Sequence, residues 1–262
     1  MSSASYLQKL FGLDGKTAIV IGGTGVLGGA IAESLASAGA YTFIVGRNES
    51  NGAEIVKTIE AAGGQAEFFK ADATTRNDLE KLVEHLKSND RQCDVLINGA
   101  GVNSPTPFLE IEDDEWDRIM NINLRGVRVA CQVFAKFMLD SGTQGSIINV
   151  ASLSAMIPLS RVFTYSASKA AVLNLTQNLA REWATDGIRV NAISPGFFPA
   201  EQNRKVLTEE RVSSIMTHTP MQRFGTPEEL AGAILLMAAP RAGSFLTGHN
   251  MVVDGGFSSM TI

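Results

Sequence analysis

The sequence predicts a doubly wound α/β fold built on a parallel sheet, and three observations carry that expectation. Short apolar runs alternate with longer amphipathic ones from end to end. The apolar runs are nearly uninterrupted, which places both faces of each strand inside a core. No Pro-, Gly- or Ser-rich linker, repeat or low-complexity tract divides the 262 residues. Strict strand–helix alternation gives three layers, with helices on both faces of the sheet and ligands at the carboxyl ends of the strands. The chain reads as one domain, 1–262, long enough to enclose a large core.

The elements follow in order. TAIVI at 17–21 reads as the first strand and 26–38 as the first helix. YTFIVG at 41–46 is the second strand, with a helix over 52–62. AEFFKAD at 66–72 is the third, with a helix over about 75–88. CDVLING at 93–99 is the fourth, and a long helical region follows from Asp113 to Leu139. GSIINVA at 145–151 is the fifth, followed by a helix over 163–184, and IRVNAIS at 188–194 is the sixth. A polar insertion covers 199–220. The helix over 227–237 starts at a clear boundary, with Thr226 as N-cap, Pro227 at its first position and Glu229 at the capping-box position. NMVVDGG at 250–256 is the last strand.

Composition narrows the function. The chain is 45% hydrophobic and 19% charged, with net charge −5. It has no basic run, so a nucleic-acid partner is disfavoured. Its two cysteines, Cys93 and Cys131, sit in apolar surroundings and read as buried, reduced thiols. The N-terminal stretch lacks a basic segment followed by an apolar one. The longest helical apolar run, 231–239, is too short to span a bilayer. A cytoplasmic protein without membrane contact is expected.

The chemistry begins at VIGGTGVLGGAIA, between the first strand and the first helix. Glycines let backbone approach a pyrophosphate, and the free N–H groups of a helix start bind its charge. Two frames fit: Gly23-x-Gly25-x-x-Gly28 and Gly22-x-x-Gly25-x-x-Gly28. At the end of the second strand, where an NAD site usually carries an acid, stand Gly46 and then Arg47. A guanidinium there suits a 2′-phosphate, so NADP(H) is expected over NAD(H). Asp72 can accept from an adenine amino group or cap the next helix. Further on, Tyr165 and Lys169 stand four apart and share a helix face. An ammonium beside a phenol lowers its pKa, so Tyr165 can serve as general acid or base. Ser152, at a strand end thirteen residues earlier, can donate to a substrate oxygen where charge develops. Asn123 is an unfavourable residue inside a helix, readable as a core amide bonded to backbone or as a holder of water for proton relay.

These features, in this order and with NGAG at 98–101 and PG at 195–196, resemble the short-chain dehydrogenase/reductase family over Asp14 to about Phe257. The resemblance implies a Rossmann fold with a seven-stranded parallel sheet, an Asn123–Ser152–Tyr165–Lys169 tetrad and a homotetramer. It also implies that Lys169 binds the nicotinamide ribose. The expected cofactor site comprises Gly22, Gly25, Val26, Leu27 and Gly28 in the first turn, then Arg47, Asp72 and Ala73. It continues through Asn98, Gly99, Ala100, Pro195, Gly196 and Phe198, with Tyr165 and Lys169. Val26 stands where the family's loop has a glycine, Gly99 where it has a second asparagine, and Ala200 where a threonine commonly touches the cofactor.

The segment after PG, a substrate-binding insertion at about 197–224, is polar, with Glu201, Gln202, Asn203, Arg204 and His218. Its phrasing is similar to that of the family's sugar-acid reductases, which act on fructuronate/mannonate or 5-ketogluconate. A carboxylate-bearing polyol matches arginines and amides, so Asn103, Arg161, Gln202 and Arg204 are the candidate substrate residues. His218 has no second ligand at metal spacing, and no metal is predicted. The expected activity is NADP(H)-dependent interconversion of a carbonyl and a secondary alcohol on a sugar acid. The alternatives are a 3-oxoacyl-thioester reductase with the same tetrad and a catalytically silent nucleotide sensor.

Overall fold

The computed structural model describes residues 3–198 and 208–260. Seven strands form one sheet in the order β3-β2-β1-β4-β5-β6-β7, with every described pairing parallel. They are β1 (Thr17–Ile21), β2 (Tyr41–Gly46), β3 (Gln65–Lys70), β4 (Val95–Asn98), β5 (Ser146–Val150), β6 (Arg189–Pro195) and β7 (Asn250–Val253). The chain builds outward from β1 to β3, returns to the far side of β1, and builds outward again through β7. The crevice therefore opens at the carboxyl ends of β1 and β4.

All described residues of β1, β4 and β5 are buried, as the apolar runs require. The edge strands differ: β3 is half-buried between exposed ends, and β7 is half-buried. Neighbouring residues of a strand face opposite layers. Ile19, Ile21, Phe43 and Val45 pack with Leu79, Leu82 and Leu86 of α4 (Arg76–Ser88) and with Phe134 and Met138 of α6 (Gly126–Ser141). Val172 of α7 (Phe163–Trp183) joins that layer. Ala18, Val20 and Ile44 face the other way, toward Ile31 and Leu35 of α2 (Val26–Ser37) and Ile59 of α3 (Glu49–Ala61). Ile234 and Met237 of α9 (Ala231–Ala238) complete this second layer. Each Val, Leu, Ile, Phe or Met side chain among them contributes about 1.5–3 kcal/mol when fully buried, so these two layers set the sheet's stability. Cys93 and Cys131 are free thiols in the first layer; burial pushes Cys131 up to about 12 and Cys93 well above its ordinary value.

Several boundaries shift from the sequence reading, each for a local reason. α3 starts at Glu49 instead of 52, because the Asn48 side chain accepts from the Asn51 N–H at 3.1 Å and caps the helix earlier. β7 stops at Val253, since Gly255 and Gly256 take φ of 65° and 88° and turn the chain away. The start at 227 holds, with Glu229 accepting from the Thr226 N–H at 2.9 Å, but the first turn, Pro227–Leu230, is 3₁₀. α1 (Ser3–Phe11) precedes β1 and lies outside the sequence expectation; it buries no residue, and its Tyr6 and Leu7 are exposed. Within the polar insertion, α8 (Glu209–His218) is a helix capped by the Thr208 hydroxyl, which accepts from the Arg211 N–H at 3.2 Å.

The helical region from Asp113 is not uniform. α5 (Asp113–Met120) passes through a π-helical turn, Asn121–Arg125, into α6. A π turn inserts one extra residue and rotates the side chains that follow it. Here that turn carries Asn123.

Candidate active site

Two cavities meet at the carboxyl ends of β1 and β4. The larger, about 570 Å³, runs from the glycine turn past Ser152, Tyr165 and Lys169 to α8. The smaller, about 250 Å³, lies toward Gly46, Arg47 and Asp72. Gly22, Gly25, Gly99, Gly101 and Val102 border both.

The glycine turn decides between the two frames. Gly22, Gly25 and Gly28 line the large cavity, whereas Gly23 does not. Gly22 sits at φ 80°, and a Cβ there would stand 2.6 Å from the Ala100 nitrogen. A side chain on Gly28 would overlap the Gly22 carbonyl. At Gly25, the N-cap of α2, a Cβ would meet no neighbour nearer than 3.5 Å, so the bare side of this residue faces open cavity. Gly23 is needed for a different reason: its Cβ would press on Val20 O at 2.8 Å and on Ile44, inside the second core layer. Val26, the first residue of α2, is 52% exposed and borders the cavity beside Leu27. Pyrophosphate fits this cradle: bare backbone, a helix N-terminus and no carboxylate among the described lining.

At the smaller cavity a Cβ on Gly46 would stand 2.6 Å from the Thr24 hydroxyl, so the position of the expected acid is filled from the neighbouring turn. Arg47 lies at the rim, its side chain 74% exposed and 3.8 Å from Asp72. Asp72 accepts from both the backbone N–H and the hydroxyl of Thr74, at 2.8 and 2.7 Å, so it organises the turn before α4. Those bonds and Arg47 hold its carboxyl below the ordinary value despite partial burial. Ala73 and Ala100 complete this wall.

The tetrad residues converge from three elements. Tyr165 and Lys169 lie on one face of α7, with the Lys169 Nζ 5.6 Å from the Tyr165 ring centroid. Lys169 is 2% exposed, and its Nζ donates to the carbonyl of Val150 at 2.6 Å, at the end of β5. Desolvation brings this ammonium down to about 8. Ser152 follows β5 and accepts from the N–H and the hydroxyl of Ser154, at 3.2 and 3.1 Å. The expectation of a lowered Tyr165 pKa is corrected here. Burial raises the phenol, and only the hydrogen bond with Ser152 acts in the opposite sense. The physical reason is burial, which disfavours the charged phenolate; the Lys169 ammonium is hydrogen-bonded to the Val150 carbonyl.

Asn123 takes the backbone-bonded reading. Its Oδ1 accepts from the Val102 N–H at 2.8 Å, and its Nδ2 donates to the Val102 carbonyl at 2.9 Å and to the Ser168 hydroxyl at 3.0 Å. Ser168 in turn donates to the Tyr165 carbonyl at 2.7 Å. The π turn thus ties the loop after β4 to the helix that carries Tyr165. Gly101, absent from the sequence-based set, borders both cavities beside this tie; a Cβ there would meet Lys169 Nζ at 3.4 Å and Asn123 Oδ1 at 3.5 Å, ordinary contact distances.

Other expected residues separate. Asn98 lines neither cavity; its Nδ2 donates to Asn149 Oδ1 at 2.8 Å within the sheet. Pro195 also lines neither, while Gly99, Gly196, Phe198 and Asn103 all border the large one. Arg161 is exposed, at φ 59°, and borders neither cavity. Gln202, Arg204 and Ala200 lie outside the described residues. His218 packs on Phe257 with ring centroids 5.3 Å apart, and no metal-ligand cluster occurs among the described residues. The sequence reading missed Arg211 and Ile215, which border the large cavity from α8. The signal was present: Thr208 followed by Glu209 and Glu210 marks a helix start.

Known proteins match the chain along nearly its whole length. The family model described as "Enoyl-(Acyl carrier protein) reductase" matches residues 24–258. The chain is 39% identical to an uncharacterised oxidoreductase, UxuB, of Bacillus subtilis (strain 168), over 94% of this chain and 95% of that one. It is 38% identical to the galactitol 2-dehydrogenase of Rhizobium johnstonii, over 97% and 99%. A gluconate 5-dehydrogenase from Burkholderia cenocepacia J2315, solved with NADP and tartrate, superposes with a TM-score of 0.91 at 31% identity, covering 97% of this chain and 99% of its own. A Haemophilus influenza protein provisionally assigned as a D-mannonate oxidoreductase, solved with NAD, gives 0.90 at 32% identity, covering 98% and 99%. The chain belongs to the short-chain dehydrogenase/reductase family and is a nicotinamide-dependent oxidoreductase.

Proposed function

We propose that this enzyme interconverts a carbonyl and a secondary alcohol on a sugar acid, with NADP(H) preferred over NAD(H). The observation that carries the reading is one cavity of about 570 Å³ that joins the glycine turn to Ser152, Tyr165 and Lys169 and has no carboxylate in its described lining. The nicotinamide cofactor, when bound, supplies or accepts a hydride. Gly22, Gly25 and Gly28 leave room for its pyrophosphate, and Lys169 binds its ribose. Tyr165 gives its proton to the carbonyl oxygen in reduction and withdraws it in oxidation. Ser152 donates to the same oxygen as charge develops on it. Asn123 ties the Val102 backbone to the Ser168 hydroxyl, which in turn donates to the Tyr165 main-chain carbonyl and so steadies the helix that carries the phenol. Burial raises this phenol above its ordinary value, and the hydrogen bond with Ser152 acts in the opposite sense. The insertion at about 197–224 serves as the substrate-binding segment.

The NADP(H) preference rests on Gly46 and Arg47. Thr24 occupies the place of an acid, and the Arg47 guanidinium at the rim can meet a 2′-phosphate. The solved relatives named above hold either cofactor, so the preference belongs to these residues and not to the family.

The test is a panel of keto-aldonates, fructuronate, neutral ketoses and acetoacetyl thioester, each with NADPH and NADH, followed at the nicotinamide absorbance. The expected result is the highest kcat/KM on a keto-acid sugar with NADPH. Highest activity on the thioester, or a preference for NADH, contradicts the corresponding half of the reading.

A further inference from the structure

We propose that Arg211 is the residue that recognises the substrate's carboxylate; this rests on the sugar-acid reading above and names the group that would carry its specificity. Three observations lead to it. The described lining of the large cavity contains two cations, Lys169 and Arg211, and no acid, in a protein whose net charge is −5. Lys169 is buried and committed to Val150 beside the tyrosine, which leaves Arg211 as the other cation of the described lining. Arg211 and Ile215 are four apart on α8 and present one face to the cavity, with Ile215 buried as the anchor.

The guanidinium is held for this task. Its Nη1 donates to the Ser160 hydroxyl at 2.7 Å, in the loop that leads into the tyrosine-bearing helix. A guanidinium has five N–H donors. Among the described residues no carboxylate pairs with it, and the Ser160 bond uses a single donor, which leaves others suited to a carboxylate in the two-pronged geometry that arginine favours. Arg211 and Tyr165 line the same cavity, so a substrate can place its carboxylate on Arg211 while its carbonyl reaches Ser152 and Tyr165. Ser160 holds one arm of the fork, and Asn103 lines the same cavity as an amide able to meet a substrate hydroxyl.

The experiment compares the parent enzyme with Arg211→Met and Arg211→Lys in two assays. The first is the ratio of kcat/KM for a keto-aldonate to that for a neutral ketohexose of the same length. The second is calorimetric binding of tartrate to the NADPH complex, which needs no turnover. Arg211→Met should lower the ratio by about 30-fold, mainly through KM, and weaken tartrate at least tenfold, on the order of one charge-assisted bidentate contact. Arg211→Lys should restore part of both, because it keeps the charge and loses the fork. A ratio within about threefold of the parent with tartrate binding unaltered overturns the assignment, as does a parent complex that binds no tartrate. If the parent turns over neutral ketoses but no keto-acid, the sugar-acid reading fails, and the loss or retention of tartrate binding in Arg211→Met then decides the Arg211 assignment alone.

Discussion

Lys169 places an ammonium where the fold must hold it at a cost. It is 2% exposed, with a carbonyl and no carboxylate as its hydrogen-bond partner, and desolvation brings it to about 8. A lysine whose folded pKa lies below its unfolded value lowers stability most when it is fully protonated, below the folded pKa. That loss fades as pH rises toward the unfolded pKa. Two to three pKa units correspond to about 3 kcal/mol, from which the lost bond to Val150 subtracts about 1. Lys169→Met should therefore be more stable than the parent by about 2 kcal/mol at pH 7, with the difference close to zero at pH 10. Urea unfolding at the two pH values reads this directly; a Lys169→Met protein less stable at pH 7 would show that the buried ammonium is better solvated than its surroundings indicate. The same change should abolish turnover, a trade of activity for stability common at active sites. The Tyr165–Lys169 spacing was legible in the sequence, but the direction of the tyrosine's shift was not. It depends on how deeply the folded chain buries the phenol, which the spacing of two residues on one helix does not reveal.

At the scale of the element, the turn Gly22–Gly28 separates two uses of glycine. Gly28 is needed by the fold, since any side chain collides with the Gly22 carbonyl. Gly25 is not: its φ of −88° suits alanine, and nothing stands within 3.4 Å of a Cβ there. Gly25→Ala should fold with stability within about 1 kcal/mol of the parent, yet bind NADPH at least tenfold more weakly, because its methyl group enters the cavity. Gly28→Ala should lose both. Thermal unfolding with and without NADPH distinguishes the two variants, and a Gly25→Ala protein with undiminished NADPH affinity would remove that glycine from the cofactor cradle. The turn's position, after a strand and before a helix, was evident from the sequence, whereas the choice of frame needed the neighbouring chain at Ala100 and Ile44. The π turn at Asn123 is a sharper case. Residues 113–139 read as helical, correctly for most positions, but no local preference marks the extra residue; it is fixed by Asn123 pairing with Val102, 21 positions away.

For the whole molecule, the sheet was readable because burial on both faces leaves short apolar runs that alternate with longer amphipathic helices along the chain. The central strands, β1, β4 and β5, follow that rule fully, and the edges β3 and β7 follow it loosely because solvent covers part of them. The substrate end was read less well. Arg161 has the right charge but lies outside the cavity wall, and Arg211 was hidden in a segment read only as polar. Charge alone could not tell them apart; the difference lies in which helix face meets the cavity. What the fold does achieve is convergence: β5 delivers Ser152, α7 delivers Tyr165 and Lys169, and the β1–α2 turn brings the glycines to the same space. The central claim is that this convergence makes Tyr165 the proton donor. Rapid mixing of Tyr165→Phe, preloaded with NADPH, against the best keto-acid substrate is its most direct measurement. The account predicts NADPH binding like the parent's and a single-turnover rate about 1000-fold slower; a rate within tenfold of the parent would contradict it.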